Sequence, residues 1–361
     1  LKSLRDACIL SISVIKDLSY EFKPGWLSIK MKYIIRCAIS VLLLIMIAPN
    51  ALGAGERKLK KVTFMPQWLP QSQFAGYYVA KELGIFEKYG LDVTILAGGP
   101  DSPPAQALDE KKTDFATMQL SAAIEKRSEG MKIINITQIM CRSALLFVAK
   151  RKSGILTPKD MNGKKIGYWR NDFQGMPKAF LKRYDINAQF FPIDSSVEMF
   201  LADGIDAMTV MWYNEYHKII NSGINPDELT TFFFFDHDLN FPEDGIYCRE
   251  ELYDSDPETC KNFVRAAIEG WRYAFENEDK TLDIVIEYIK RSHMAANRAH
   301  QRWMLKRMRD LIAPEGSNQK NGELLESDYQ KTVKVLFESG SIKSRPEYKS
   351  IFKSCVKDVS K

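Results

Sequence analysis

The sequence predicts an α/β protein of two lobes followed by a helical tail. Three observations carry that prediction. Short alternating apolar runs are separated by segments of helical spacing, this strand–helix cycle occurs twice, and the chain beyond Pro257 reads as helix almost throughout. Strands interleaved with helices form largely parallel sheets wound by right-handed crossovers, so two cycles give two sheets.

The first cycle opens with Val62 and Phe64, which alternate with polar neighbours as a strand. A loop around Trp68 follows, then Phe74, Tyr77, Tyr78 and Lys81 at helical spacing, with Gly84 placed to end that helix. Tyr77 and Tyr78 cannot both face one way, so only the tyrosine on the Phe74 face is expected in the core. A short helix runs from Ile85 to Tyr89, and Leu91, Val93 and Ile95 alternate as a second strand. Gly98-Gly99-Pro100 is a turn. Ser102-Pro103-Pro104 reads as an N-cap with proline in the first turn of a helix through Leu108. Asp114 to Met118, Lys132 to Ile136 and Ala144 to Ala149 are further strands.

The second cycle begins at Thr157-Pro158-Lys159-Asp160, a capping-box pattern. Strands are expected at Lys165 to Trp169, Gln189 to Pro192, Asp206 to Met211 and Thr230 to Phe235. Helices are expected near Pro177 to Tyr184, Val197 to Leu201 and Glu215 to Asn221. The helical tail passes through Ala267, Trp271, Ile284, Trp303 and Val335, with a loop at Asn318 to Gly322.

The start of the chain carries a leader. From Met31, Lys32 and Arg36 form a short basic region, Cys37 to Ala48 an apolar one, and Ala51-Leu52-Gly53 a small-residue cleavage site. About 12 apolar residues fall short of the roughly 20 a membrane-spanning helix needs. Residues 31–53 are therefore expected to be a cleaved secretory signal, and residues 1–30 an upstream extension outside the native start. The whole chain holds 51 basic and 46 acidic residues, but residues 1–53 supply seven of the first and three of the second. The remainder is nearly neutral, which gives no support to nucleic-acid binding. Four cysteines remain: Cys141, Cys248, Cys260 and Cys355. Cys248 and Cys260 are close enough in sequence to pair, but spacing alone does not show it.

Catalytic signatures are missing. There is no GxGxxG, no GxxxxGK[ST] and no GxSxG. His217, His237, His293 and His300 are scattered, and His293 and His300 stand two turns apart on one expected helix, a poor metal spacing. Asp236-His237-Asp238 is a run of consecutive side chains, which rarely converge on one ion. No cofactor, metal or reaction is expected.

Polar and aromatic residues do gather just after strands, where open α/β sheets bind ligands. Trp68, Gln71 and Gln73 follow the first strand, and Gln119 and Ser121 follow Phe115 to Met118. Trp169, Asn171 and Asp172 follow Lys165 to Tyr168. Tyr213, Asn214 and Glu215 follow Ala207 to Trp212, and Glu243 and Asp244 come after the phenylalanine strand. A lone tryptophan is more often a packing residue, Gln71 and Gln73 could cap the next helix, and Glu243-Asp244-Gly245 could be a turn. The basic run Arg298 to Arg309 reads as a solvated helix face. Aromatic walls with a few amides and carboxylates at several strand ends are the makings of a small-molecule pocket.

The stretch WLPQSQFAGYYVAKELGIFEKYGLDVTI resembles the N-terminal signature of the substrate-binding proteins of ABC importers, in the branch that handles thiamine pyrimidine precursors, riboflavin and alkanesulfonates. DFATM, CRSALLFVAKRKSGILTPKDMNGKKIGYW, GIDAMTVMWYNEYHKI and FPEDGIY fit its order, so the resemblance covers about Val62 to Trp271. It implies a type II periplasmic-binding-protein fold, closing by a hinge over ligand held between the lobes. Lobe one would be 57–142, lobe two 143–240, and 241–361 the return to lobe one with the C-terminal helices, with crossovers near Cys141 to Leu145 and Asp238 to Ile246. Trp68 would stack on a heterocycle, and Glu215 would accept from an aminopyrimidine edge. Gln71 stands where the branch commonly has Asn, and Phe74 where relatives often have His. A sulfonate binder would need helix N-terminal N–H groups or an arginine, for which Ser102 and Arg142 are the candidates. The resemblance further implies a periplasmic monomer that serves an inner-membrane ABC permease and is not an enzyme. A pyrimidine-synthesising enzyme of this fold would need a Cys- and His-rich cluster, and a sensor partner of a signalling protein is the other reading left open.

Overall fold

The computed structural model describes residues 58–169, 174–194, 196–314 and 322–356. Residues 1–57, which hold the expected leader and upstream extension, together with Asn171, Asp172 and most of the loop expected at Asn318 to Gly322, lie outside the described residues. In the first cycle, β1 (Lys60–Met65) leads through one 3-10 turn (Ser72–Phe74) into α1 (Ala75–Glu82) and α2 (Ile85–Lys88). Then come β2 (Leu91–Ile95), α3 (Pro104–Asp109), β3 (Phe115–Met118), α4 (Leu120–Ser128) and β4 (Ile133–Gln138). Gly84, at φ 67°, separates α1 from α2 in a conformation that costs a residue with a Cβ far more.

The second cycle runs β5 (Leu145–Lys150), β6 (Lys165–Trp169), α5 (Gly175–Arg183), β7 (Gln189–Ile193), α6 (Glu198–Leu201), β8 (Ala207–Met211), α7 (Glu215–Asn221) and β9 (Leu229–Phe233). The Thr157–Asp160 capping box forms as expected, on a 3-10 turn. The chain then returns as β10 (Gly245–Arg249) and continues as α8 (Glu250–Ser255), α9 (Pro257–Glu276), α10 (Glu278–Arg291), α11 (Arg298–Ile312), α12 (Glu326–Glu338) and α13 (Tyr348–Ile351).

Two five-stranded sheets result, ordered β2-β1-β3-β10-β4 and β7-β6-β8-β5-β9. In each, the strand that has just crossed from the other sheet enters antiparallel, fourth in the order. β10 lies between β3 and β4, and β5 between β8 and β9, while β1, β2 and β3 are mutually parallel, as are β6, β7 and β8. This is the α/β two-lobe architecture expected from the two cycles.

Three local expectations are corrected. Ser102 does not cap α3; Pro103 holds that position, and Ser102 bridges back to Gly99. Tyr77 and Tyr78 are both buried, at 1% exposure each. Tyr77 packs on Phe64 of β1, and Tyr78 stacks on Tyr288 of α10 at 4.0 Å, because α1 is covered on two sides. The turn reading of Glu243-Asp244-Gly245 gives way to β10, a strand not expected from the sequence: Glu243 and Asp244 come after the phenylalanine strand, as expected, but lead directly into a strand of the first sheet.

The tail packs α9 against α1 at very short range. A Cβ on Gly270 would overlap the Gly76 carbonyl, and one on Gly76 would overlap the Trp271 ring. Phe263 of α9 stacks on Phe115 at 4.2 Å and on Phe86 at 5.2 Å. Helix α11 touches residues around both sheets. The Ser72 N–H donates to Gln301 Oε1 at 2.7 Å, and Trp303 Nε1 donates to the Trp212 carbonyl at 3.2 Å. Among the described residues no helix is long and apolar enough to cross a membrane.

Candidate functional site

A cleft of about 210 Å³ opens where the carboxyl ends of strands from both sheets meet. From the first sheet it is lined by Gln67, Trp68, Leu69, Gln71 and Gln73 after β1, Pro100 after β2 and Gln119 after β3. From the second come Trp169 at the end of β6, Asp194 after β7, and Met211, Tyr213, Asn214 and Glu215 at the end of β8 and the start of α7. The loop of Gly98 crosses so close to the Pro66 carbonyl that a Cβ there would overlap it, which holds Pro100 beside Leu69 and Trp68. Trp169 is fixed by its own indole, Nε1 donating to the Asp194 carbonyl at 2.9 Å.

Of the residues singled out from the sequence, Trp68, Gln71, Gln73, Gln119, Trp169, Tyr213, Asn214 and Glu215 line this cleft. Ser121 is buried on α4, away from the lining, and Glu243 and Asp244 sit behind it. Gln67, Leu69, Pro100, Asp194 and Met211 were missed. Gln67 and Asp194 carried a readable signal, since each lies one or two residues past a strand end. Gln71 and Gln73 cap nothing; they belong to a hydrogen-bonded group built on Asp244.

Each carboxyl has a distinct setting. Glu215 Oε2 accepts from the Met211 N–H at 3.0 Å and Oε1 from Asn214 Nδ2 at 2.7 Å, so both oxygens expected for a ligand already have one partner. Burial raises its pKa above the ordinary value. Asp244, at φ 51°, accepts from Gln73 Nε2 at 3.1 and 2.9 Å and from Gln67 Nε2. Burial pushes its pKa up to about 7, against the lowering effect of Gln73. Glu243 turns the other way. It accepts from Ser143 Oγ at 2.7 Å and the Ala144 N–H at 2.9 Å, and burial raises its pKa to about 8. The residue thus ties the outgoing connection, 139–144, to the returning one, 234–244. Asn240 adds a second tie, accepting from the Ser143 N–H and donating to the Cys141 carbonyl.

The histidines are less scattered than the sequence implies. His293 lies in the turn after α10, outside α11, whereas His300 on α11 lies 2.8 Å from His217 on α7, Nδ1 to Nδ1. His300 Nε2 reaches Asn214 Oδ1 at 3.1 Å, linking this pair to the rim of the cleft. His237 and Asp238 diverge, the first to Tyr184 at 2.5 Å and the second to Lys331 at 2.6 Å. Cys248 and Cys260 are buried free thiols with sulfurs 4.0 Å apart. The basic run on α11 is only partly a solvated face. Arg298 and Arg302 pair with acidic residues at the start of α10, but Arg307 lies over the rings of Trp212 and Trp303.

No Lys, Arg or His lines the cleft among the described residues. Ser102 and Arg142, the candidates for holding a sulfonate, are not on its wall; Arg142 lies over the Phe235 ring at 4.3 Å. The chemistry on offer is aromatic surface, amide groups and carboxyls. The Gln119 amide and the Tyr213 hydroxyl have no hydrogen-bond partner among the described residues.

A family model described as "NMT1/THI5 like" matches residues 71–281, the span that carries both walls of the cleft. The chain belongs to that family. It is 23% identical over 256 residues to the riboflavin-binding protein RibY of Chloroflexus aurantiacus, covering 68% of this chain and 70% of that one. It is 24% identical over 268 residues to the formylaminopyrimidine-binding protein of Halalkalibacterium halodurans, covering 70% and 78%. Its fold matches that of the periplasmic aliphatic sulphonate binding protein SsuA of Escherichia coli with a TM-score of 0.62 at 12% identity, over 80% of this chain and 96% of that one. The fold of this NMT1/THI5-like protein is therefore that of the periplasmic binding proteins, as the sequence signature implied.

Proposed function

We propose that this protein is an exported solute-binding protein of an ABC importer that holds a small aromatic heterocycle in its cleft, with a pyrimidine precursor of thiamine the favoured ligand. The carrying observation is the lining itself: two tryptophans, a tyrosine, four glutamine or asparagine amides besides Gln67, and carboxyl groups, with no cationic side chain among the described residues. Ring faces prefer aromatic partners, and carboxyls and amide oxygens accept N–H donors; among the described residues of the lining an anionic sulfonate would meet neither a fixed positive charge nor a helix N-terminus of useful length. Relatives named for riboflavin and for formylaminopyrimidine support a heterocycle. Riboflavin is the second reading, favoured by the relative of that name and by the two tryptophans.

Trp68 and Trp169 would clasp the ring, Tyr213 and Gln119 would bond its edge, and Glu215 and Asn214 would accept from an amino group. Residues 31–53 would direct export and be removed, leaving a periplasmic monomer with lobe one at 57–142, lobe two at 143–240 and the return at 241–361. Closing about connections 139–144 and 234–244 would give the form an inner-membrane permease engages. No reaction is assigned to the cleft. Titration with hydroxymethylaminopyrimidine should quench tryptophan fluorescence saturably. Trp68→Ala should remove the Trp68 share of that quenching, leaving that of Trp169, and weaken binding about tenfold or more, in line with the worth of an aromatic contact plus its buried area. Quenching that persists unchanged in Trp68→Ala would remove Trp68 from the site, and none in the wild type would remove the pyrimidine.

A further inference from the structure

Asp244 is buried behind the cleft wall at 2% exposure, yet its carboxyl is the end point of every fixed amide on that wall. Gln73 Nε2 donates to both of its oxygens, and Gln67 Nε2 donates to Oδ1. The Gln73 carbonyl, turned away from Asp244 by that contact, accepts from Gln71 Nε2 at 2.6 Å. An amide is a donor on one side and an acceptor on the other, so anchoring its nitrogen decides where its oxygen goes. Gln67 and Gln71 both line the cleft, and their carbonyl oxygens have no hydrogen-bond partner among the described residues. Neither oxygen is sealed off from solvent among the buried unpartnered atoms. Turning Gln73 over would set its oxygen against a carboxyl that, once ionised, has no hydrogen to offer, and turning Gln71 over would set two carbonyls against each other.

We propose that Asp244 is a positioning residue which, through Gln73 and directly on Gln67, makes the cleft present carbonyl acceptors and so select a ring bearing N–H donors, such as an exocyclic amino group, over its oxo counterpart. This rests on the heterocycle reading above and extends it to the polarity of the ligand's edge. Asp244 itself touches no ligand. It acts on specificity from one layer behind, and an asparagine in its place could pair with either face of the glutamines and would free both to turn.

The test has two arms on the full chain. In the first, side-chain amide resonances are recorded without ligand for wild type and Asp244→Asn. Those of Gln67, Gln73 and, through the relay, Gln71 should move together while that of Gln119 stays; a Gln71 amide that does not respond overturns the relay. In the second, affinities are measured by calorimetry for 4-amino-5-hydroxymethyl-2-methylpyrimidine and its 4-oxo analogue. Wild type should favour the amino compound by about tenfold or more, the order expected for exchanging a made hydrogen bond for a mismatched one. Asp244→Asn, which frees both Gln67 and the Gln73–Gln71 pair, should bring the ratio close to one, Gln73→Ala, which frees Gln71 alone, should lower it in part, and adding Asp244→Asn to Gln73→Ala should remove the remainder. A ratio retained in both single variants, each still unfolding cooperatively, overturns the proposal. If wild type binds neither compound, the pyrimidine reading falls by itself, and the amide resonances still decide the relay.

Discussion

Glu243 and Asp244 are neighbours in the chain, but one faces the connection between the sheets and the other the amides of the cleft. Both hold their protons more tightly in the folded chain than in an unfolded one, at about 8 and about 7 against ordinary values of 4.5 and 3.8. The folded state therefore binds more protons across that window, and stability falls as pH rises from about 4 toward 8. His300 works in the opposite direction. Burial and the neighbouring His217 and Lys218 lower it from 6.5 to about 4, so stability is lost as pH falls through that interval. Above about pH 6.5 the histidine contribution is complete, and the remaining decline belongs to the carboxyls. Urea unfolding of Glu243→Gln should show a shallower decline between pH 6.5 and 8 than the wild type, by up to about 1.4 kcal/mol per pH unit. An identical slope in the two proteins would mean that Glu243 is already ionised when folded. The cleft residues that follow a strand within the same cycle, such as Trp68 and Tyr213, were legible in the sequence. Asp244's role was not, because it depends on a return strand that brings residue 244 beside residues 67 and 73.

Among the elements, β10 and α1 show what hid from a reading by periodicity. Gly-Ile-Tyr-Cys-Arg is a short strand with sheet neighbours on both sides and four of its five residues buried, so it carries no alternation to mark it. The polar Glu243-Asp244 pair ahead of it imitates a turn. Helix α1 defeats the one-face rule because β1, α9 and α10 cover it, and six of its eight residues are buried. Strands such as β1, β2 and β8 were recovered because each alternates or is bounded by clear turn residues. The α1–α9 contact depends on the paired glycines, which leave no room for a methyl group. Gly270→Ala should therefore lower stability by about 1–3 kcal/mol, the usual cost of overpacking, or more because the obstacle is backbone. Equilibrium unfolding measures this, and a loss below about 0.5 kcal/mol would show that the two helices can move apart freely.

The whole molecule repeats one plan twice. Each sheet receives its fourth strand from the other, the two connections are tied by Asn240 and Glu243, and α11 reaches residues beside both sheets. The two cycles and the helical tail were enough to read two α/β lobes from the sequence, whereas the exchanged strand β10 and the fit of α11 against Trp212 and His217 were not, since these join residues about 90 or more positions apart. The result is a cleft whose walls belong to different sheets, so a ligand bonded to both adds contacts that the unfolded chain lacks. Thermal unfolding with a graded set of compounds tests this most directly: hydroxymethylaminopyrimidine, formylaminopyrimidine, riboflavin, taurine and a longer alkanesulfonate. A ligand at 100 times its dissociation constant adds about 2.7 kcal/mol, which moves the midpoint of a chain this size by several degrees. Such a shift is expected with an aminopyrimidine, cut to about half or less at the same concentration in Trp68→Ala, and none is expected with either sulfonate. A shift with a sulfonate and none with any heterocycle would contradict the heterocycle reading.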